Sequence, residues 1–498
     1  MNNEREMNPH KIVRYLDKSP EEFTRRDLIR FIEENNIQAV NFRHLGGDGR
    51  LKTLNFVVNS KNQLDRLLSA GERVDGSNLF SYVHSDSSDL YIIPRYRTAY
   101  VNPFSAVPTV DFLCSYYTAG GEPLKSSPEN VLRRAHETLK SATGFSLQAM
   151  GELEYYIVYD KDPLYPVAGE KGYEESSPFA KQEDLRCEAM QAIAQAGGII
   201  KYGHSEAGFV SREAQDMEQN EIEFIPRDIE DAADQIVLAR WILRTLAYKR
   251  GVNITFAPMI SVGHAGSGLH IHSRLMQNGE NLLVDKNGLS DVARKVIAGY
   301  LDLARSLTAF GNPIPLSFAR INAKKEAPAT VYWGDRNRSA LVRVPLGWLN
   351  AGDMAKNANP QETEESPTAG ADQTVELRSP DGSANIHFLL AGMAVAARHG
   401  LEMKDALEVA DKLYVNAGTS PDESRGGGFA HLPASCWESA ESLLEQRETY
   451  ERDNVFPPEL VDDVANQIKS FGDRDVGPGY YDKEDEVRKL VSMYFHCA

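Results

Sequence analysis

Cysteine is scarce in this chain of 498 residues: Cys114, Cys187, Cys436 and Cys497 lie far apart and form no C-x-x-C pair. That excludes a disulfide-stapled scaffold and a thiolate zinc site, and it fits a reducing cytoplasm. Long apolar runs are missing as well, so no stretch approaches a membrane span. Met1-Asn2-Asn3-Glu4-Arg5 lacks the apolar core of an export signal, and a cytoplasmic location is the expectation. Nor is there a basic excess. Lys and Arg number 54 against 72 Asp and Glu, a formal charge of -18 with no long basic run. Nucleic acid or an anionic membrane is therefore not expected as the main partner, and small anionic substrates would need local basic groups or metal ions. Apolar residues, at 42%, are plentiful enough for a large core and two or more domains.

A first helix is predicted from about Thr24 to Asn35, with Thr24 as cap, Asp27 three residues on, and Leu28, Phe31 and Ile32 as the apolar stripe. Strands are expected over Ala39 to His44 and Leu51 to Val58, joined by a turn at Gly46-Gly47-Asp48-Gly49. Further strands through Leu90 to Val101 and Val110 to Tyr117 complete a small α+β domain spanning residues 1–122. Ser127-Pro128-Glu129 then opens a helix running to about Ala142, and interspersed strands and helices fill a second domain, 123–498. Asn357 to Gln373 reads as a mobile polar loop and Arg425-Gly426-Gly427-Gly428 as a second flexible point.

Chemistry concentrates in Gly151-Glu152-Leu153-Glu154-Tyr155-Tyr156-Ile157-Val158, where two glutamates interrupt a β-like run. Side chains alternate along a strand, so Glu152 and Glu154 share a face, and that face is either wet or covered by something positive. The pattern recurs with Glu221 and Glu223, with His270 and His272, and with Glu376 and Arg378. Carboxylates with one imidazole suit Mg²⁺ or Mn²⁺, and two such ions can clamp a nucleotide phosphate. A second cluster, Arg320, Glu326, Arg336, Arg338 and Arg343, supplies forked donors for phosphate and carboxylate oxygens. Together these point to phosphoryl transfer, without naming the acceptor.

At these residues the sequence resembles the glutamine synthetase family, in unbroken motif order from about Gly71 to Ala391. The motifs are Val74-Asp75-Gly76-Ser77 with Ser88-Asp89, Glu152-Leu153-Glu154, Lys171-Gly172-Tyr173, His204-Ser205-Glu206 and Gln219-Asn220-Glu221. Gly266-Ser267-Gly268-Leu269-His270-Ile271-His272, Glu326-Ala327-Pro328, Arg336-Asn337-Arg338-Ser339-Ala340 and Glu376-Leu377-Arg378-Ser379-Pro380-Asp381 complete the series. The resemblance implies an α+β protein: an N-terminal β-grasp-like domain, and a C-terminal catalytic domain with an antiparallel half-barrel sheet flanked by helices.

By matching position, it implies that Glu154, Glu206 and Glu221 hold one metal, and Glu152, His270 and Glu376 the other, as Mg²⁺ or Mn²⁺. It assigns His272, Arg338 and Arg343 to ATP, Gly266, Arg320, Arg338 and Arg378 to glutamate, and Glu326 to the flap that shields the intermediate. Asp75, with Ser77, Tyr173 and Glu206, would bind ammonium and take its proton. The activity implied is ATP-dependent ligation of ammonia to glutamate in a ring-forming homo-oligomer, a dodecamer among the forms allowed, whose active sites lie between subunits. Two other readings stay open: a γ-glutamyl ligase using an amine or another acid, and a non-catalytic homologue. Departures from the family pattern are Ala265 for an asparagine, a separation of fifteen positions from Glu206 to Glu221, Thr374 for an arginine, and a serine shifted to Ser273. Tyr414 lies near a position that some bacterial members nucleotidylate, but Val415-Asn416-Ala417-Gly418 does not resemble their acidic loop, and regulation there is not expected.

Overall fold

The computed structural model describes residues 6–83, 88–286, 288–323, 327–347, 354–364, 372–418, 428–476 and 478–497. The predicted first helix is α2 (Arg25–Glu34), preceded by a short α1 (Lys11–Leu16). Thr24 and Asp27 cap α2 reciprocally, and Leu28, Ile29, Phe31 and Ile32 form its buried stripe. Strands β1 (Ala39–Leu45), β2 (Leu51–Val57), β3 (Glu72–Asp75), β4 (Asp89–Pro94), β5 (Tyr100–Val101) and β6 (Thr109–Thr118) build the first sheet, with α3 (Lys61–Ala70) between β2 and β3. Its order is β2-β1-β6-β4-β3 with β5 on β6, and β1 and β6 run parallel in an otherwise antiparallel sheet.

The second sheet contains β7 (Ser146–Asp160), β8 (Ile200–Ser211), β9 (Gln215–Phe224), β10 (Arg227–Asp228), β11 (Asn253–Thr255), β12 (Leu269–Gln277) and β13 (Glu280–Asn281). After a ribbon of β14 (Val284–Asp285) and β15 (Gly288–Leu289), it is completed by β16 (Trp333–Asp335), β17 (Val342–Val344) and β18 (Val375–Leu377). The order is β16-β17-β18-β12-β7-β9-β8, antiparallel except for the parallel edge pair β16–β17. This is the expected half-barrel.

Helices α4 (Pro128–Thr143), α5 (Glu183–Gln195) and α6 (Ile229–Arg250) back the sheet, with α6 packed on β7 and α5 on β8. A Cβ on Gly151 would sit 2.8 Å from Ile236 Cδ1, so glycine there lets the α6 side chain lie directly on β7. Leu153 and Tyr155 are fully buried in the same core. Burying the odd-numbered face of β7 leaves Glu152 and Glu154 on the other.

The Glu206–Glu221 spacing has a structural cause: β8 and β9 form a long hairpin, and the pairing jumps from Ser205↔Asn220 to Phe209↔Glu218. Extra residues lengthen and kink the strands there rather than making a loop. The predicted mobile loop needs correction at both ends. Asn357 and Ala358 belong to a helical turn, Met354–Ala358, and Gln373 is buried with its amide donating to the Pro345 carbonyl at 3.0 Å. Residues 365–371 and 425–427 lie outside the described residues. All four cysteines are free, and among the described residues no helix is long and apolar enough to cross a membrane.

The small domain is tied to α6 by charge. Arg95 donates to both Asp234 oxygens at 2.6 and 2.8 Å, Arg97 pairs with Asp231 at 2.6 Å, and the Arg43 guanidinium lies 3.7 Å from the Trp241 ring centroid. Burial alone would raise the Asp234 carboxyl, but Arg95 and His387 outweigh it and hold the group below the usual range. A depressed carboxylate stabilises the fold above its unfolded pKa of about 4 and loses that contribution as pH falls. Asp234→Asn should therefore cost about 3 kcal/mol at pH 7, read as a lower midpoint of thermal unfolding. The gap to wild type should narrow below about pH 4; a gap unchanged by pH would refute the ionic origin.

Candidate active site

Register turns the alternating motifs into ranks across one face of the second sheet. Tyr202, Glu223, Glu152 and His270 stand side by side on β8, β9, β7 and β12. His204, Glu221 and Glu154 form the next rank, and His272, Glu376 and Arg343 another on β12, β18 and β17. These strands wall a cavity of about 360 Å³ that also receives Tyr173, Lys201, Glu206, Arg320, Arg338, Ser339 and Arg378.

Six carboxylates, of Glu152, Glu154, Glu206, Glu221, Glu223 and Glu376, line this space, and they cannot all stay ionised unless positive charge compensates them. Within the chain, imidazoles and guanidiniums do part of this. His270 Nδ1 and His272 Nε2 approach the two oxygens of Glu152 at 2.9 and 2.8 Å, while the other His272 nitrogen meets Thr374 Oγ1 at 2.8 Å. Burial alone would raise the Glu152 carboxyl, but these two histidines hold it well below the usual range. Conversely, burial would lower His272, and Glu152 raises it. Glu376 is gripped from both sides, accepting from Arg343 at 2.9 Å and from Arg378 Nε at 3.0 Å. Glu221 is less well served. Burial, then Glu152, Glu154, Glu206 and Glu223, push its carboxyl well above the normal range, although His204 Nε2 lies 3.0 Å away.

The donor set fits a hard divalent cation: carboxylate oxygens and one or two imidazoles, no thiolate, and an acid that burial beside other carboxylates discourages from ionising. Among the described residues, three groups bring a ligand atom from each member within 4.8 Å of the others: Glu152, His270 and Glu376; Glu154, Glu221 and His270; and His204, Glu221 and Glu223. The first coincides with the triad predicted from sequence. The second contains Glu154 and Glu221 but has His270 where Glu206 was expected. Glu206 lines the same cavity from the bulged part of β8.

Among the other predicted residues, Tyr173, Arg320, Arg338, Arg343 and Arg378 line the cavity, with Tyr173 edge-on to His204 at 5.3 Å between centroids. Arg343 Nε and Arg378 Nη1 are buried without a hydrogen-bond partner among the described residues. His272 stands behind Glu152 rather than in the lining, and Gly266 lies against the Pro258 carbonyl and the Arg320 stem. It is Gly268 that meets the site: a Cβ there would come 2.6 Å from His270 Nε2 and 2.7 Å from Arg320 Nη2. Asp75 and Ser77 are in the small domain, outside the lining. The Asp75 carboxylate is exposed and accepts from Ser77 N at 3.0 Å, Ser77 Oγ at 2.7 Å and Asn78 Nδ2 at 2.5 Å. Glu326 lies outside the described residues. Tyr414 packs on Trp333 with its hydroxyl 3.4 Å from Asp335.

Spacing and resemblance assign no role to Lys201, Tyr202 or His204. The alternation on β9 singles out Glu223 alongside Glu221, but the resemblance gives it no ion. His204 sat unassigned inside a quoted motif, and Lys201 depends on a bulge that no local pattern announces.

Because His270 belongs to two of the three groups, His270→Ala should weaken both steps of a Mn²⁺ titration by at least about tenfold, whereas Glu376→Gln should weaken one. Calorimetry that found only one step affected by His270→Ala would contradict this sharing.

Comparison with known proteins agrees with the geometry. The model of the glutamine synthetase catalytic domain matches residues 125–467, and that of the glutamine synthetase beta-Grasp domain matches residues 36–119. Glutamine synthetase of Mycolicibacterium smegmatis is 29% identical over 483 residues, covering 89% of this chain and 94% of that one. The enzyme of Clostridium saccharobutylicum is 27% identical over 434 residues, covering 85% and 90%. In fold, the chain resembles glutamine synthetase of Plasmodium falciparum, with a TM-score of 0.74 at 18% identity covering 91% and 96% of the two chains. It also resembles GmaS without ligand, with a TM-score of 0.70 at 18% identity covering 90% and 96%. With both domain models matched in order and the acidic cavity built from the strands they span, the chain is a member of the glutamine synthetase family, a ligase that uses ATP and Mg²⁺ or Mn²⁺.

Proposed function

We propose that the protein joins ammonia to the side-chain carboxylate of L-glutamate at the expense of ATP, giving glutamine, ADP and phosphate. The observation that carries this reading is the single cavity in which Glu152, Glu154, Glu221, His270 and Glu376 face Arg320, Arg338, Arg343 and Arg378. Such a cavity suits two anionic substrates whose charges must be brought together. Two bound divalent ions, one on Glu152, His270 and Glu376 and one on Glu154 and Glu221 with Glu206 or His270, would supply Lewis acidity and charge neutralisation.

The chain's own groups position the reactants. Arg343 and Arg338 draw the ATP phosphates, and His272 fixes Glu152 beneath them. Arg320 and Arg378 hold the glutamate carboxylates beside Gly266 and Gly268. One oxygen of the side-chain carboxylate forms a bond to the γ-phosphorus as the bond to the ADP oxygen breaks, giving an acyl phosphate. Tyr173 and Glu206 receive ammonium, and Asp75, helped by Ser77, takes its proton. Ammonia then attacks the acyl carbon and phosphate leaves. Since Asp75 lies outside its own chain's cavity, it would act in the site of a neighbouring copy, which makes the working unit a homo-oligomer. Glu326 would close over the acyl phosphate and exclude water.

A second reading is favoured by one residue. Ala265 is buried, its amide bonded to Glu170 at 2.8 Å and its carbonyl to the Tyr156 hydroxyl at 2.8 Å, so a methyl group stands where relatives present an amide. This would suit an acid other than glutamate, or an amine in place of ammonia.

Purified protein with ATP, Mg²⁺, glutamate and ammonium should form glutamine and phosphate in equal amounts. Absence of product with Mg²⁺ and with Mn²⁺ would reject the reading, and an amine that outperforms ammonium tenfold or more in kcat/KM would replace it with the second. Glu326→Ala should lower glutamine formation at least about 100-fold while hydrolysis of ATP without amide formation rises in proportion.

A further inference from the structure

Strand β8 breaks register just before the site. Ile200 pairs with Phe224 and Tyr202 with Glu223, so two steps on β8 oppose one on β9 and Lys201 is the extra residue of a bulge. In a regular strand Lys201 would point away from Tyr202; here both line the cavity. Lys201 Nζ lies 2.7 Å from Glu223 Oε2, the Tyr202 hydroxyl donates to Glu223 Oε1, and the Lys201 ammonium sits 4.9 Å from the Tyr202 ring centroid. Both oxygens of Glu223, a carboxylate only 6% exposed, are thus engaged by the chain itself.

Glu223, with His204, is also what distinguishes the third cation-sized group, His204, Glu221 and Glu223, from the other two. Neither of those meets a lysine, although Glu376 of the first accepts from the delocalised guanidiniums of Arg343 and Arg378. We propose that Lys201 is a positioning residue whose ammonium serves as the fixed cation of this third group. It withholds Glu223 from divalent metal, so that the sheet face takes two ions and not three. The inference rests on the two-ion reading of the remaining ligands. Its physical basis is that a divalent ion on Glu223 would have to displace an ammonium at contact distance or stand beside it, and like charges so close in a half-buried site repel. The bulge supplies what a regular strand would not: a lysine on the same face as the acids it offsets.

The test counts Mn²⁺ bound per chain in chelator-stripped, full-length protein, from the loss of the free Mn²⁺ electron paramagnetic resonance signal. Wild type should bind two ions and Lys201→Met three. Lys201→Arg, which restores a cation, should return to two, as should Lys201→Met combined with Glu223→Gln. Lys201→Gln serves as a second neutral variant should the methionine variant fold poorly, and it too should bind three. Two ions in wild type and still two, or fewer, in the neutral variants would overturn the role of Lys201 while leaving the two-ion site standing. A wild type that binds none would remove both, and a wild type that already binds three would overturn the role of Lys201 alone.

Discussion

The structure depends on one electrostatic constraint: an acidic sheet face that the chain neutralises only in part. Glu152 between His270 and His272, and Glu376 between Arg343 and Arg378, show how the fold offsets individual carboxylates with its own cations. Glu221 shows where it stops. With His204 beside it and four other carboxylates around it, its charge is resisted, and a divalent ion is the simplest group that would relieve the strain. The folded chain thus stores an affinity for cations, and through them for phosphate, in a place walled by arginines.

That arrangement is possible because the other face of the same strands is committed to the core. Gly151 and Leu153 lie against α6, and the small domain grips that helix through Arg95, Arg97 and Arg43. Period-two alternation then gives the glutamates no alternative direction. The helix therefore acts on function at a distance, by fixing which side of β7 faces the cavity.

Much of this was legible from residue spacing. Capping at Thr24, the proline start of α4 at Pro128, the hairpin at Gly46 to Gly49, and the polar pairs on β7, β9, β12 and β18 are local patterns, and local patterns survive folding. What spacing could not supply was register. Whether Glu206 or His270 approaches Glu154 and Glu221, and whether Lys201 faces the acids, depends on two bulges in β8 whose cause lies in pairing with β9 rather than in β8 itself. Gly268 against His270 and Arg320, and Thr374 fixing the ring of His272, are likewise contacts between segments distant in sequence. Asp75 marks a different boundary: it is exposed in the small domain, and the role proposed for it, in the site of a neighbouring copy, is one that spacing within a single chain does not place.

The central claim is that this cavity activates a carboxylate by phosphorylating it, and oxygen labelling tests that most directly. Glutamate carrying ¹⁸O in its side-chain carboxylate would be turned over with ATP, Mg²⁺ and ammonium, and the released phosphate examined by mass spectrometry. Attack of the carboxylate on the γ-phosphorus predicts one ¹⁸O in the phosphate for each amide formed. Amide formation with unlabelled phosphate would contradict the account.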